Sequence, residues 1–383
     1  KERSVSAPYY YVDLNNDGLL DYCSYDSDAS KYKVYYNNGD GTFTSKPLDF
    51  GDYTLDGVYD KAFADYDRDG RIDALVLLKN KNNKKCYAVA FNKGNGKFDV
   101  VEIKLPANSN LSSDSKPYDI DGDGYMDIMS YYPVMNKGNR TFEMQQIHSQ
   151  NNPVYMDLDL DGKLDYQSSN RMEFTVSNNG SPVTFENLQS KGYIGETIDY
   201  SDKFADVDND GVPDRTYADL YLIKQKCINT PPTAPTTVYA NQKNGEVVIS
   251  WSGATDKEST NAQLLYNISI RKKGETGDGS YIWSPLNAND DNAKMARTGI
   301  QTYYRQATTL PMPISRFEAG KTYEICVQTL DPWMAHSPFS KVVEFTPTET
   351  TLISMPEKAG VGQAVKASVE SNVGEITLTT DDG

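Results

Sequence analysis

The chain has 383 residues, with 38 Lys and Arg against 54 Asp and Glu and a formal net charge of −16. That balance disfavours nucleic acid as a partner, because phosphates select for positive charge. No run of 18 apolar residues occurs, so no membrane-spanning helix is expected.

The length suits two or three domains. Tyr, Gly, Asn, Asp and Thr outweigh the helix formers, which favours an all-β fold of strands joined by tight polar turns. The chain begins at Lys1 without an apolar leader, as expected for either a cytosolic protein or a processed, exported one. Cys23, Cys86, Cys227 and Cys326 are too few and too widely spaced for a disulfide-built scaffold, and none sits in a CxxC pair. Buried thiols are the simple reading, with one bridge as the alternative in an exported chain.

The first 226 residues carry five nine-residue acidic loops in one register: DLNNDGLLD at 13–21, DYDRDGRID at 65–73, DIDGDGYMD at 119–127, DLDLDGKLD at 157–165 and DVDNDGVPD at 206–214. Positions 1, 3, 5 and 9 are Asp13, Asn15, Asp17 and Asp21; Asp65, Asp67, Asp69 and Asp73; Asp119, Asp121, Asp123 and Asp127; Asp157, Asp159, Asp161 and Asp165; and Asp206, Asp208, Asp210 and Asp214. A glycine at position 6 permits a sharp turn, and alternate side chains of a tightly wound loop converge on one point. Position 7 (Leu19, Arg71, Tyr125, Lys163 and Val212) adds a backbone carbonyl.

An all-oxygen, carboxylate-rich donor set selects Ca2+ over Mg2+, which keeps a smaller, wetter octahedral shell, and over softer metals, which want Cys or His. About five Ca2+ ions are therefore expected, and they would offset much of the negative charge. Folding and metal binding should be coupled, because an empty loop is a cluster of repelling charges. An EF-hand is excluded, since position 12 is Ser24, Val76, Ser130, Ser168 or Tyr217 rather than glutamate. DYTLDGVYD at 52–60 is a degenerate sixth copy, read as a turn that binds weakly at most. Lys79, Lys81, Lys84 and Lys85 read as a solvated hairpin tip.

A second signature follows each of the first four loops: NNGDGTF at 37–43, NKGNGKF at 92–98, NKGNRTF at 136–142 and the weaker SNNGSPVTF at 177–185. Its Asn/Gly run suits a hairpin turn, and Phe43, Phe98, Phe142 and Phe185 are expected as core plugs between sheets. Alternating runs such as YKVYYN, CYAVAFN and MEFTVSN supply the strands. The loops recur at a period typical of propellers and solenoids.

Together these signatures resemble the FG-GAP, or VCBS, repeat family, known from the integrin alpha propeller and from bacterial surface and secreted proteins. The resemblance implies a calcium-loaded β-propeller over 1–226, with the loops in equivalent places and a broad loop face suited to protein or glycan ligands. The family commonly uses seven blades, and only five motifs occur here.

INTPPTAPTT marks a stiff Pro/Thr linker, assigned to 227–236. The strand-like runs VVISW, LLYNISIRKK, GKTYEICVQTLD and KVVEFTP then fit one sandwich module over 237–347, with Trp251 and Tyr323 in its core. This region resembles a fibronectin type III domain, as attached to VCBS repeats in secreted Bacteroidetes-type proteins. Its insert at 273–300 reads as a surface excursion. Residues 348–383 read as the start of a further β domain or a C-terminal extension.

His148 and His336 fall in different proposed domains, and no GxSxG, HExxH, P-loop or GxGxxG fingerprint appears. The expectation is a calcium-stabilised extracellular adhesion, scaffold or ligand-binding module with a protein or glycan partner; the missing fingerprints weigh against catalysis without deciding it. Two alternatives stand beside it. One is a purely structural stalk. The other is part of a secreted polysaccharide lyase resembling rhamnogalacturonan lyases, for which no catalytic basic residue is matched.

Overall fold

A computed structural model describes residues 10–26, 31–107, 109–130, 132–144, 154–156, 165–167, 203–205, 214–217, 221–223, 229–276, 280–285, 289–290, 293–294, 306–333, 335–354 and 368–373. Among them there is no α-helix, and the strands form several antiparallel sheets.

Three consecutive four-stranded meanders come first. They comprise β1 (Tyr10–Val12), β2 (Asp21–Asp26), β3 (Lys31–Asn37) and β4 (Phe43–Pro47); β5 (Thr54–Ala64), β6 (Asp73–Lys79), β7 (Lys85–Asn92) and β8 (Phe98–Glu102); and β9 (Lys116–Tyr118), β10 (Asp127–Met129), β11 (Val134–Asn136) and β12 (Phe142–Met144). Two shorter sheets follow, β13 (Val154–Met156) with β14 (Asp165–Gln167), and β15 (Lys203–Ala205) with β16 (Asp214–Tyr217) and β17 (Tyr221–Ile223).

Each acidic loop joins the first two strands of its sheet. The residue before position 1 pairs with position 9 in all five cases: Val12 with Asp21, Ala64 with Asp73, Tyr118 with Asp127, Met156 with Asp165 and Ala205 with Asp214. One strand pairing is therefore repeated down the chain at the base of each loop.

Neighbouring sheets share their cores. Tyr66, Leu75, Val89 and Phe91 of the second sheet cluster with Ile128 and Val134 of the third, while Ile72 joins Val12, Leu14 and Val34 of the first. A closed ring of blades is not seen among the described residues.

Two expectations are corrected here. DYTLDGVYD is strand rather than turn from Thr54 onward, because β5 pairs with β6 through irregularities at Leu55/Gly57 and Val58/Phe63. Its Asp56 is held by Lys79 and Lys85, which flank the turn between β6 and β7, so the carboxylate is committed to ion pairs. Phe43 is 43% exposed and meets Tyr22 edge-on rather than plugging a core. Phe98 stacks on Phe50 and Phe142 packs against Tyr66 and Phe91, as plugs should, and Phe185 lies outside the described residues.

The second half is a two-sheet sandwich. β18 (Thr237–Lys243), β19 (Glu246–Ser252) and β24 (Thr309–Pro313) form one sheet. β20 (Leu265–Lys272), β21 (Tyr281–Trp283), β25 (Tyr323–Leu330) and β26 (Val343–Phe345) form the other. Alternation along β19 turns Val247, Ile249 and Trp251 inward to meet Tyr266, Ile268 and Ile270 of β20. Trp251 is 3% exposed and sits edge-on to Tyr266, and fully buried Tyr323 accepts a hydrogen bond from the Glu318 amide. Part of the 273–300 insert returns as β21, an edge strand with Trp283 buried, and β22 (Asn289–Asp290) pairs with β23 (Ala293–Lys294). In the tail, β27 (Thr351–Ser354) pairs with β28 (Ser368–Ser371). The EITLTT run lies outside the described residues.

Candidate metal sites

The three described acidic loops are wound by the same internal hydrogen bonds. Position 1 accepts from the amide of the position-6 glycine: Asp13 from Gly18 at 2.9 Å, Asp65 from Gly70 at 2.8 Å and Asp119 from Gly124 at 3.0 Å. Position 5 accepts from the position-7 amide at 2.8 Å in each loop, through Asp17 and Leu19, Asp69 and Arg71, and Asp123 and Tyr125. Position 9 accepts twice, from position 2 of its own loop and from an asparagine further along. Asp21 takes Leu14 and Asn37, Asp73 takes Tyr66 and Asn92, and Asp127 takes Ile120 and Asn136, at 2.6 to 2.9 Å. Position 2 supplies the apolar anchor, since Leu14, Tyr66 and Ile120 are all buried.

This winding draws the carboxylates together. One oxygen from each of Asp65, Asp67 and Asp73 lies within 4.8 Å of the others, and the same holds for Asp119, Asp121 and Asp127. Asp21, Asp73 and Asp127 are fully buried. Loss of water pushes the Asp21 carboxyl up to about 8, with Asp13 adding repulsion, and pushes Asp127 to about 8. Burial raises Asp119 to about 7, helped by Asp123, and Asp69 to about 6, helped by Asp67; Asp73 is raised by burial and by Asp65. The common cause is the cost of burying negative charge beside like charge.

The donor chemistry fits a hard cation. Asn15 Oδ1 and Asp119 Oδ1 are buried without a hydrogen-bond donor, so both loops hold an oxygen that a cation would satisfy. The loops are not identical. Asn15 donates to Asp17 across the first loop, and Arg140 donates through Nε and Nη2 to Asp67 Oδ2 at 2.8 and 2.6 Å in the second. A cation there competes with a guanidinium for Asp67.

Of the remaining candidates, Asp165 and Asp214 open β14 and β16. Asp157, Asp159, Asp161, Lys163, Asp206, Asp208, Asp210 and Val212 lie outside the described residues, as do His148 and Cys227. His336 forms an isolated bridge with Leu330. Cys23 and Cys86 carry unbridged thiols, which burial pushes up to about 12 and about 11.

Residues missed by sequence reasoning are Asn37, Asn92 and Asn136, which open the second signature. Besides donating its amide to position 9, each accepts from the signature glycine, at 2.8 to 3.1 Å, through its side-chain oxygen. The side-chain amide of Asn92 reaches the Leu14 carbonyl at 2.8 Å, and that of Asn136 reaches the Tyr66 carbonyl at 2.7 Å. These asparagines fasten one sheet to the acidic loop of the sheet before it. Their recurrence at the head of the signature was the available signal.

A cleft of about 570 Å³ opens beside the first loop. Asn15, Lys46, Arg71 and Asn95 line one side, and Glu246 and Leu352 the other.

A family model described as an FG-GAP-like repeat matches residues 13–76 and 65–130, which include the three described loops. The chain therefore contains two FG-GAP-like repeats over 13–130. No curated protein matches the chain. Among solved structures, a fungal alcohol oxidase of the AA5 family in complex with copper is similar at 11% identity and a TM-score of 0.27, over 88% of this chain and 63% of that one. The chain thus spans less than two thirds of that protein, and likeness at this level transfers neither fold nor activity.

Proposed function

We propose that this chain is a calcium-stabilised extracellular ligand-binding or adhesion module, built from propeller-type repeats followed by a fibronectin type III-like sandwich, as in exported bacterial surface proteins. The observation that carries it is the threefold repetition of one loop winding that buries a position-9 aspartate, with carboxylates converging beside it in the second and third loops. A loop used only as a turn has no need of buried, repelling charge.

Calcium supplies charge compensation and a rigid oxygen cage when bound. Asp65, Asp67 and Asp73 would hold one ion, and Asp119, Asp121 and Asp127 another. In the first loop Asp13, Asn15, Asp17 and Asp21 would serve, with the carbonyls of Leu19, Arg71 and Tyr125 as further donors. The chain's own contribution is the amide network that holds each carboxylate in place. Extracellular calcium is high enough to fill even weak sites of this class, which favours export.

The cleft is the candidate ligand surface. Its amides, lysine, arginine and glutamate offer donors and acceptors together with an apolar edge, a combination suited to the hydroxyls and faces of a glycan. A glycan array probed with the calcium-loaded chain, followed by end-group analysis of any bound glycan, tests this. Retention without new reducing or unsaturated ends is expected. New ends would establish a lyase or hydrolase instead, and an intact chain that retains no glycan would redirect the reading to protein adhesion or a structural stalk.

A further inference from the structure

The glycine at position 6 of each described loop meets the sandwich. Gly18, Gly70 and Gly124 have φ of +83°, +88° and +90°, which the loop turn alone requires. A Cβ on Gly18 would lie 2.8 Å from the Ile282 carbonyl oxygen and 3.3 Å from the Trp283 ring. On Gly70 it would lie 2.5 Å from the Thr309 oxygen, and on Gly124 2.5 Å from the Ala262 oxygen. Three equivalent points in three sheets therefore touch three separate segments of the sandwich: β21, the start of β24 and the turn before β20.

Polar contacts accompany this seating. Arg71 pairs with Glu246 at the start of β19, and Arg68 donates to the Gln306 carbonyl. The cleft described above draws its walls from both regions.

We propose that the acidic-loop edge is the docking surface for the sandwich of this same chain, and that calcium in the loops determines whether the sandwich is seated. The inference rests on the loops being calcium sites. Backbone packed on backbone at this closeness tolerates shifts of only a few tenths of an ångström. An empty loop spreads under the repulsion of its carboxylates and moves its glycine out of register with the sandwich. Filled loops fix all three glycines together. The loop edge is then not an open ligand face, and the cleft has its shape only in the docked, calcium-loaded chain.

The test uses the full chain. Calorimetry first measures calcium binding; small-angle scattering and amide hydrogen exchange then follow the chain with calcium and after chelation, at a temperature where the sandwich remains folded. Chelation should raise the radius of gyration and speed exchange in peptides spanning 260–264 and 306–312 by about tenfold or more, equivalent to about 1.4 kcal/mol in the opening equilibrium. A sandwich-side variant, Glu246→Arg with Ala262→Trp, should open the interface while calcium stoichiometry and sandwich melting stay as in the parent. If calcium binds, but chelation and the double variant both leave radius and exchange unchanged, docking is independent of the metal and the inference falls while the calcium reading stands. No calcium binding at all would overturn both.

Discussion

Strand β19 sends Val247, Ile249 and Trp251 into the sandwich interior, whereas the acidic loops send Asp21, Asp73 and Asp127 into theirs. The sandwich core is one continuous apolar cluster, closed by its own side chains. In the sheet region the apolar clusters are smaller and are joined by polar fasteners such as Asn92 and Asn136. A domain of the first kind is complete without help from solution. One of the second kind buries charge, and on the calcium reading proposed above its stability depends partly on the bound ion.

The sharpest way to break this contrast is Asp73→Ala. It leaves the amides of Tyr66 and Asn92 buried without an acceptor, at about 1–3 kcal/mol each, besides removing a carboxylate from the second cluster. Denaturant melts should show the sheet transition falling and the sandwich transition unmoved. Gly70→Ala comes next. A φ of +88° and the approach of the Thr309 oxygen should together cost about 1–3 kcal/mol, read as a shift in the same transition. An alanine variant as stable as the parent would contradict the close seating.

Acidity should separate the two regions in the opposite sense from ordinary carboxylates. Asp21 and Asp127 at about 8, Asp119 at about 7 and Asp69 at about 6 all stand above the roughly 3.9 of an unfolded chain. The metal-free folded state therefore holds protons more tightly than the unfolded one. Their contribution to stability is full below about pH 4 and is lost as pH rises through these values. Chelated protein should melt lower at pH 8 than at pH 5, while the increment added by calcium grows over the same range as the ion replaces protons. The smallest effect is expected of Phe43→Ala, within about 0.5 kcal/mol because the ring is exposed.

The sequence shows the strands and the loop winding because both are local. Position-6 glycines and alternating runs state their own backbone requirements within nine residues. It does not show what lies opposite those glycines, since Ile282, Thr309 and Ala262 are brought there only by the fold. Asn92 and Asn136 read as turn residues for the same reason, as their carbonyl partners Leu14 and Tyr66 belong to preceding sheets. DYTLDGVYD misleads because its spacing imitates a loop, while Lys79 and Lys85 turn Asp56 to a different use. Phe43 shares a motif position with Phe142 but among the described rings meets only Tyr22, whereas Phe142 packs against both Tyr66 and Phe91 and is half-buried.

The most direct test of the calcium account is metal content and thermal melting of the purified chain, with and without chelator. About five calcium ions per chain are predicted, together with a sheet transition that falls sharply on chelation. At calcium about a thousandfold above Kd, each site should contribute about 4 kcal/mol. The sandwich transition should stay near its place. A chain that carries no calcium and melts identically with chelator would contradict the account and leave the five acidic loops as plain turns.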